Sequence, residues 1–184
     1  MKKSFLLLIV MFFLTSCFGS SDTTSKIEGL TLYNGNGFDI NTPSNWNIIE
    51  KNSNILPNPK DSTIELAVSS DELKYGFANN MLILSQNLDK IVSSTDFSIL
   101  NNIGSSKEYK EYQKLESKGI EFISKEKSNL YVFEAKYNID TPKFKYLQTG
   151  VVCKNKGYLI TIALSSEIKD VSKYEEILKT FECK

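Results

Sequence analysis

The chain has 184 residues, with 22 acidic residues balanced by 22 basic ones, so its formal net charge is zero. Its length suits about one domain, and 41% hydrophobic residues are enough for an ordinary core. All the basic residues are lysines, and the chain has no histidine, which excludes Ser-His-Asp and Cys-His catalysis and removes the commonest transition-metal ligand. Because a neutral chain offers no strongly basic surface, we expect no nucleic-acid partner.

The amino terminus is typical of an export signal. Lys2 and Lys3 precede an unbroken apolar run over residues 5–14. Ten residues of helix rise only about 15 Å, half the thickness of the bilayer core, so this run is too short for a stable membrane span. Leu-Thr-Ser-Cys follows at residues 14–17 and resembles a bacterial lipobox. We therefore predict a lipoprotein signal peptide over residues 1–16.

Cys17 is the predicted lipidation site and the first residue of the mature protein. Two or three acyl chains on this cysteine would anchor the protein stably in a membrane, whereas a single chain binds only marginally. Residues 18–26 are polar and short-chained, as a tether requires, and we assign residues 17–28 to the lipidated cysteine and its tether. The protein is thus expected in the cell envelope, lipid-anchored and facing the periplasm or the cell exterior.

The first predicted strand covers residues 37–41, with Phe38 and Ile40 on one face. A turn should follow it, because Pro43 cannot donate a hydrogen bond to continue the ladder. Pro43 and Trp46 are candidates either for the wall of a ligand groove or for a structural turn in which the tryptophan fills the core. The second role is the commoner one for a lone large aromatic residue after a strand.

Further strands are predicted at residues 64–68, by alternation, and at residues 81–84, by a short apolar run. A loop should connect the first two strands over residues 52–61, where prolines interrupt the pattern. A helix is then predicted from Ser93, with hydroxyl caps at its start and Gly104 as its stop. Its apolar stripe would consist of Phe97, Leu100 and Ile103.

The second half of the chain favours an antiparallel meander and a final helix. A weak strand near Ile120 precedes a clear one over residues 131–139, and residues 146–153 and 158–164 form a hairpin in which Asn155 and Gly157 could adopt positive φ. The last helix starts near Asp170, and its apolar positions are Val171, Tyr174, Leu178 and Phe181. Together the elements predict an α+β domain with an antiparallel sheet covered by helices.

Cys153 and Cys183 are the two cysteines beyond Cys17. In an oxidising compartment they most simply pair with each other, joining the end of the last helix to a central strand. Closing a loop of about 30 residues would stabilise the fold by about 3.5–4 kcal/mol in the chain-entropy model. Two unpaired buried thiols are the alternative.

The segment Gly-Phe-Asp-Ile-Asn-Thr-Pro-Ser-Asn-Trp at residues 37–46 resembles the opening of PsbP-like domains, where a Gly-Phe strand runs into a Pro-x-x-Trp turn. The Gly-Tyr-x-Ile strand at residues 157–160 and a closing helix with Phe181 agree with that family. The resemblance implies an α/β/α sandwich around a twisted antiparallel sheet, which we assign to residues 29–184. It also implies docking onto other proteins, the property that members of the family share, with no common chemistry.

These observations lead to two functional hypotheses. The first is a non-catalytic, membrane-anchored accessory lipoprotein that docks on another envelope protein. The second is a binder of a small ligand or of the cell wall, with its pocket near Trp46. A hydrolase that uses serine, lysine or carboxylate side chains has no motif to support it. We predict neither a cofactor nor a metal, since the metal contacts attributed to photosynthetic PsbP-like proteins involve histidine.

Overall fold

A computed structural model describes residues 28–184. These residues form ten strands and two helices. In chain order the elements are β1 Leu30–Asn34, β2 Phe38–Pro43, β3 Trp46–Ile48, β4 Thr63–Lys74, β5 Phe77–Asn87, α1 Ser94–Glu108, β6 Lys110–Glu121, β7 Lys127–Lys136, β8 Lys143–Cys153, β9 Lys156–Ser165, α2 Ser172–Lys179 and β10 Glu182–Cys183.

The strands form two antiparallel sheets. The large sheet has the order β3-β4-β5-β9-β8-β7-β6, and the small sheet has the order β1-β2-β10. Strands β6 to β9 form a meander. Strand β9 also pairs with β5, which joins the meander to the β4–β5 hairpin. The small sheet and α2 pack on one face of the large sheet, while α1 packs on the other face.

The main core lies between the large sheet and the small sheet with α2. Phe38 and Ile40 are fully buried there, which confirms their predicted common face. Phe38 lies 5.2 Å from Phe181 and from Tyr158, measured between ring centroids. Because these rings come from β2, β9 and the segment after α2, they hold the two sheets and the last helix together.

Cys153 and Cys183 form a disulfide, with their Cα atoms 5.6 Å apart. The predicted pairing is therefore confirmed. The bond joins β8 to the short strand β10, which follows α2, and so it does not attach to the helix itself. It fixes the carboxyl-terminal segment beside β2, where Cys183 pairs with Phe38.

The start of α1 agrees with the prediction. Ser93 caps it, with the backbone N–H of Asp96 donating to Ser93 Oγ at 3.0 Å. Phe97 is buried because Gly150 and Gly157 leave room for its ring on the sheet. Asn155 and Gly157 were expected to provide positive φ in the β8–β9 turn, but neither does, and that conformation belongs to Lys154, at φ 60°.

The rest of the predicted stripe of α1 is wrong, since Leu100 and Ile103 are exposed. The helix also continues past Gly104 to Glu108. Its buried side is mostly small and polar, and hydrogen bonds rather than bulky apolar groups fasten it to the sheet, such as Ser105 Oγ donating to Gln148 Oε1 at 2.9 Å. The buried polar residues of α1 are Ser94, Ser98, Asn102 and Ser105.

Other boundaries also differ from the prediction. The strand expected over residues 131–139 is β7, which ends at Lys136, so Tyr137 and Ile139 lie beyond it and are exposed. Strands β1 and β3 were not predicted, because each is short and edge-like with little alternation. The structure has the predicted antiparallel sheet with helices packed against it. The two helices cover only part of the large sheet, however, so the fold is mostly antiparallel sheet.

Candidate functional site

A groove of about 460 Å³ lies at the predicted Pro43–Trp46 turn. The β2–β3 turn forms one wall, the outer ends of β4 and β5 form another, and α2 closes the third side. The turn is tight because Ser44 returns to Gly29, its N–H donating to the Gly29 carbonyl oxygen at 2.9 Å. The residues that give the groove its chemistry are Pro43, Trp46, Asn79, Lys173, Tyr174 and Ile177.

Trp46 and Tyr174 form the aromatic part of this groove. Their ring centroids are 6.3 Å apart and their planes are inclined by 37°. Trp46 is half-buried and packs against the main core, so it combines the two roles considered for it: one side supports the core and the other lines the groove. Large half-exposed aromatic rings provide contact area at little entropic cost, which is why they are common in binding sites.

Asn79 fixes the position of Tyr174. Its Nδ2 donates to the Tyr174 hydroxyl at 3.4 Å, while its Oδ1 accepts from the backbone N–H of Ser165 at 3.2 Å. Asn79 is itself buried, so both bonds are shielded from water. The tyrosine ring is thus held in place before any ligand arrives.

Charges of both signs surround the aromatic pair. Lys173 Nζ lies 4.7 Å from the centroid of the Tyr174 ring, a cation–π contact. Glu72 and Glu176 also line the groove, and Lys74 stands on the wall contributed by β4. An apolar floor with such a rim can hold a side chain or a small molecule that has an apolar body and polar ends.

The predicted site residues are distributed over three places. Cys17 lies outside the described residues. Pro43 and Trp46 meet in the groove, and Cys153 and Cys183 form a structural bond elsewhere. The contribution of α2 and β5 to the groove was not predicted, because these elements approach the turn only through the fold, and no local pattern in the sequence joins positions 46, 79 and 174.

A buried carboxylate lies away from this groove. Glu65 Oε1 accepts hydrogen bonds from Lys156 Nζ and Ser85 Oγ, both at 2.6 Å, and Lys51 Nζ is 4.0 Å from Oε2. Burial raises the pKa of Glu65, but the hydrogen bonds from Lys156 and Ser85 outweigh it and hold the pKa below its ordinary value. A carboxylate with a lowered pKa and a closely bonded lysine is a structural ion-pair partner and a poor general base.

An aromatic cluster fills the face of the large sheet beside α1. Phe133 and Tyr146 stack in it at 5.1 Å and are both buried. Burial, with smaller effects of Tyr137 and Glu108, raises the pKa of Tyr109 to about 12. The Tyr109 hydroxyl therefore stays protonated at neutral pH, and this cluster serves as a second core.

Two further properties concern the described range. Among residues 28–184, no three acidic or cysteine side chains are placed so that they could share a metal ion. Within the same range, neither helix has the length and apolar character needed to cross a bilayer.

Comparisons with known proteins bear on the fold. No protein-family model and no curated protein matches the chain. Among solved structures, cyanobacterial PsbP (CyanoP) from Synechocystis sp. PCC 6803 is similar, with a TM-score of 0.56 and 11% identity over 91% of this chain and 99% of that one. A protein of unknown function from Pseudomonas aeruginosa, PA94, called a putative regulator, has a TM-score of 0.51 and 12% identity over 82% of this chain and 91% of its own. The described domain thus has a PsbP-like fold.

Proposed function

We propose that this protein is a non-catalytic accessory lipoprotein of the cell envelope, anchored through lipid on Cys17, which docks on another envelope protein. The observation that carries the proposal is the groove at Trp46, where the ring of Trp46 lies beside that of Tyr174, which Asn79 holds in place. Preorganised aromatic anchors of this kind carry much of the binding energy in protein interfaces. The PsbP-like fold supports docking as the mode of action.

The rim of the groove indicates what kind of partner segment would fit. It carries both Lys173 and Glu176 from α2, next to the apolar surface of Trp46 and Ile177. A peptide segment with a large apolar side chain flanked by charged residues would match both parts. Contacts with the rim charges should set the specificity, while the aromatic contacts supply most of the affinity.

The same groove also supports the second hypothesis, a small ligand or a cell-wall fragment. Its volume of about 460 Å³ lies within the range of small-molecule sites. An aromatic wall with nearby amide and carboxylate groups suits a ligand with an apolar face and several hydroxyl or amide groups. This ligand would occupy the surface that we assign to the protein partner, so one experiment separates the two.

The test is crosslinking in living cells from a photoreactive phenylalanine analogue placed at Trp46. A matched control places the same analogue at Leu100, which is exposed on α1 and lies outside the groove. We expect one envelope protein to be attached from position 46 and not from position 100. If position 46 captures no protein while a small ligand copurifies with the wild type and not with Trp46→Ala, the docking proposal is wrong and the second hypothesis replaces it.

A further inference from the structure

Two chain reversals, the β4–β5 turn and the β7–β8 connection, lie close together at one end of the large sheet. Ala163 on β9 pairs with Asn80 on β5 on one side and with Tyr146 on β8 on the other. Strands β5 and β8 therefore start at the same level, and the β4–β5 turn lies at the same end of the sheet as the β7–β8 connection. With only β9 between them, these two reversals are about 10 Å apart.

Both reversals display large apolar side chains to solvent. Phe77, next to the first reversal, and Phe144, next to the second, stack with their ring centroids 3.9 Å apart, so an apolar contact joins the two reversals. Exposed hydrophobic surface of this kind marks a site of interaction. The exposed fractions are 72% for Leu73, 67% for Tyr75, 59% for Tyr137 and 67% for Ile139.

The chain also enters the domain at this end. Glu28 and Gly29 line the same groove as Glu72 and Lys74, which immediately flank Leu73. Only ten residues lie between Cys17 and Glu28, so their Cα atoms cannot be more than about 40 Å apart in any arrangement. An anchor at Cys17 therefore favours an orientation in which this end of the sheet faces the bilayer, and not the opposite end, which lies about 35 Å away along β8.

We propose that the four exposed side chains Leu73, Tyr75, Tyr137 and Ile139 contact the lipid bilayer and form a second, protein-based membrane contact beside the anchor. Tyrosine suits the boundary between lipid and water because its ring is apolar and its hydroxyl is polar. The contact rests on the lipid anchor of the proposed function.

Charge does not drive this contact. Lys74 follows Leu73 but is balanced in the sequence by Glu72, and Lys143 forms an ion pair with Glu111, with Nζ 3.6 Å from Oε2. A surface of mixed sign gains little from anionic headgroups, so the attraction is that of apolar side chains for the interface. The contact should accordingly form on zwitterionic lipid and resist salt.

The test uses the purified mature lipoprotein in phosphatidylcholine vesicles, half of them with brominated acyl chains that quench tryptophan by contact. Trp46→Phe with Tyr75→Trp puts the sole tryptophan at the β4–β5 turn. The matched control, Trp46→Phe with Ile123→Trp, puts it at the β6–β7 turn, where Ile123 is 57% exposed at the opposite end of the sheet. Flotation of both variants with the vesicles checks the anchor separately, and circular dichroism checks the fold.

We expect bromolipid to quench the tryptophan at position 75 and to leave the one at position 123 unchanged, at low and at high salt alike. Floating protein with no quenching at either position, or with equal quenching at both, would overturn the proposal while leaving the anchor intact. A blue-shifted emission at position 75 without quenching would also overturn it, because the side chain would then be covered by protein, a second copy included. Failure to float would instead refute the anchor.

Discussion

Phe97 and Gly150 form the contact that seats α1 on the large sheet, and their coupling can be measured. The Phe97 ring is 2% exposed, and a methyl group added to Gly150 would lie 2.6 Å from its Cδ1 atom. Gly150→Ala should therefore lower the free energy of unfolding by about 1–3 kcal/mol through overpacking. Phe97→Ala should lower it by about 3–5 kcal/mol, since it leaves a cavity between the helix and the sheet.

The double variant tests whether these two costs have the same origin. With the ring removed, the new methyl group at position 150 enters empty space and fills part of the cavity. The double variant should therefore be more stable than the sum of the two single changes predicts, by about 1–2 kcal/mol. Compensation is partial, because the Ser98 Cα atom would still lie 3.2 Å from the added methyl group.

Gly119 provides the matched control, since it also lies in a strand but has no atom within 4 Å of the position of an added methyl group. Gly119→Ala should change the stability by no more than about 0.5 kcal/mol. The assay is urea unfolding of the oxidised protein, followed by fluorescence. If Gly150→Ala lowers the free energy of unfolding no more than Gly119→Ala does, or if the effects of the two changes in the double variant simply add, then α1 does not pack on Gly150 through Phe97 as described.

Three further predictions concern other parts of the domain. The lowered pKa of Glu65 means that its ion pair with Lys156 stabilises the fold at neutral pH and loses this effect as the pH falls through the folded-state pKa. Glu65→Gln should thus be less stable than wild type at pH 7, and the difference should shrink below about pH 4.5, as urea unfolding across pH would show. Reducing the Cys153–Cys183 bond should lower the free energy of unfolding by about 3.5–4 kcal/mol, measured with and without reductant, and no change would mean that the bond is absent in solution. Trp46→Ala should lower the free energy of unfolding by about 1–3 kcal/mol, and Trp46→Phe by less, because the ring is only half-buried. Thermal unfolding checks this, and a loss of stability as large as that for a fully buried aromatic residue would contradict the position of Trp46 in the groove wall.

The strongest sequence predictions came from strict local patterns. Phe38 and Ile40 alternate in the core strand as expected, and the β8–β9 hairpin follows from two apolar strands that flank a short polar turn. The PsbP-like fold was predicted from residues 37–46 together with the order of the elements. In these segments the local preference and the tertiary packing agree.

The errors arise where packing overrides the local pattern. Helix α1 buries small polar side chains because it lies close to the sheet over glycines, so periodicity placed Leu100 and Ile103 on the wrong face. Gly157 suggested a turn residue, but it is a strand residue that makes space for Phe97. Steric demands of this kind depend on partners that are distant in the chain, and no window of sequence contains them.

The groove was predicted only in part for the same reason. Pro43 and Trp46 stood out because they interrupt a strand, which is a local signal. Tyr174 was predicted as a core residue, and its position is indeed buried, yet its ring also reaches the groove wall. Asn79 had no distinguishing pattern, since its role depends on contacts with Tyr174 and Ser165.

Attachment of lipid to Cys17 is the claim on which the location of the domain, its partner and its contact with the bilayer all depend. The most direct measurement is incorporation of radiolabelled palmitate by cells that express the wild type or Cys17→Ser, followed by separation of membrane and soluble fractions. We predict that the wild type is labelled and found with the membranes, and that Cys17→Ser carries no label. Equal labelling of the two proteins, or an unlabelled wild type in the soluble fraction, would contradict the account.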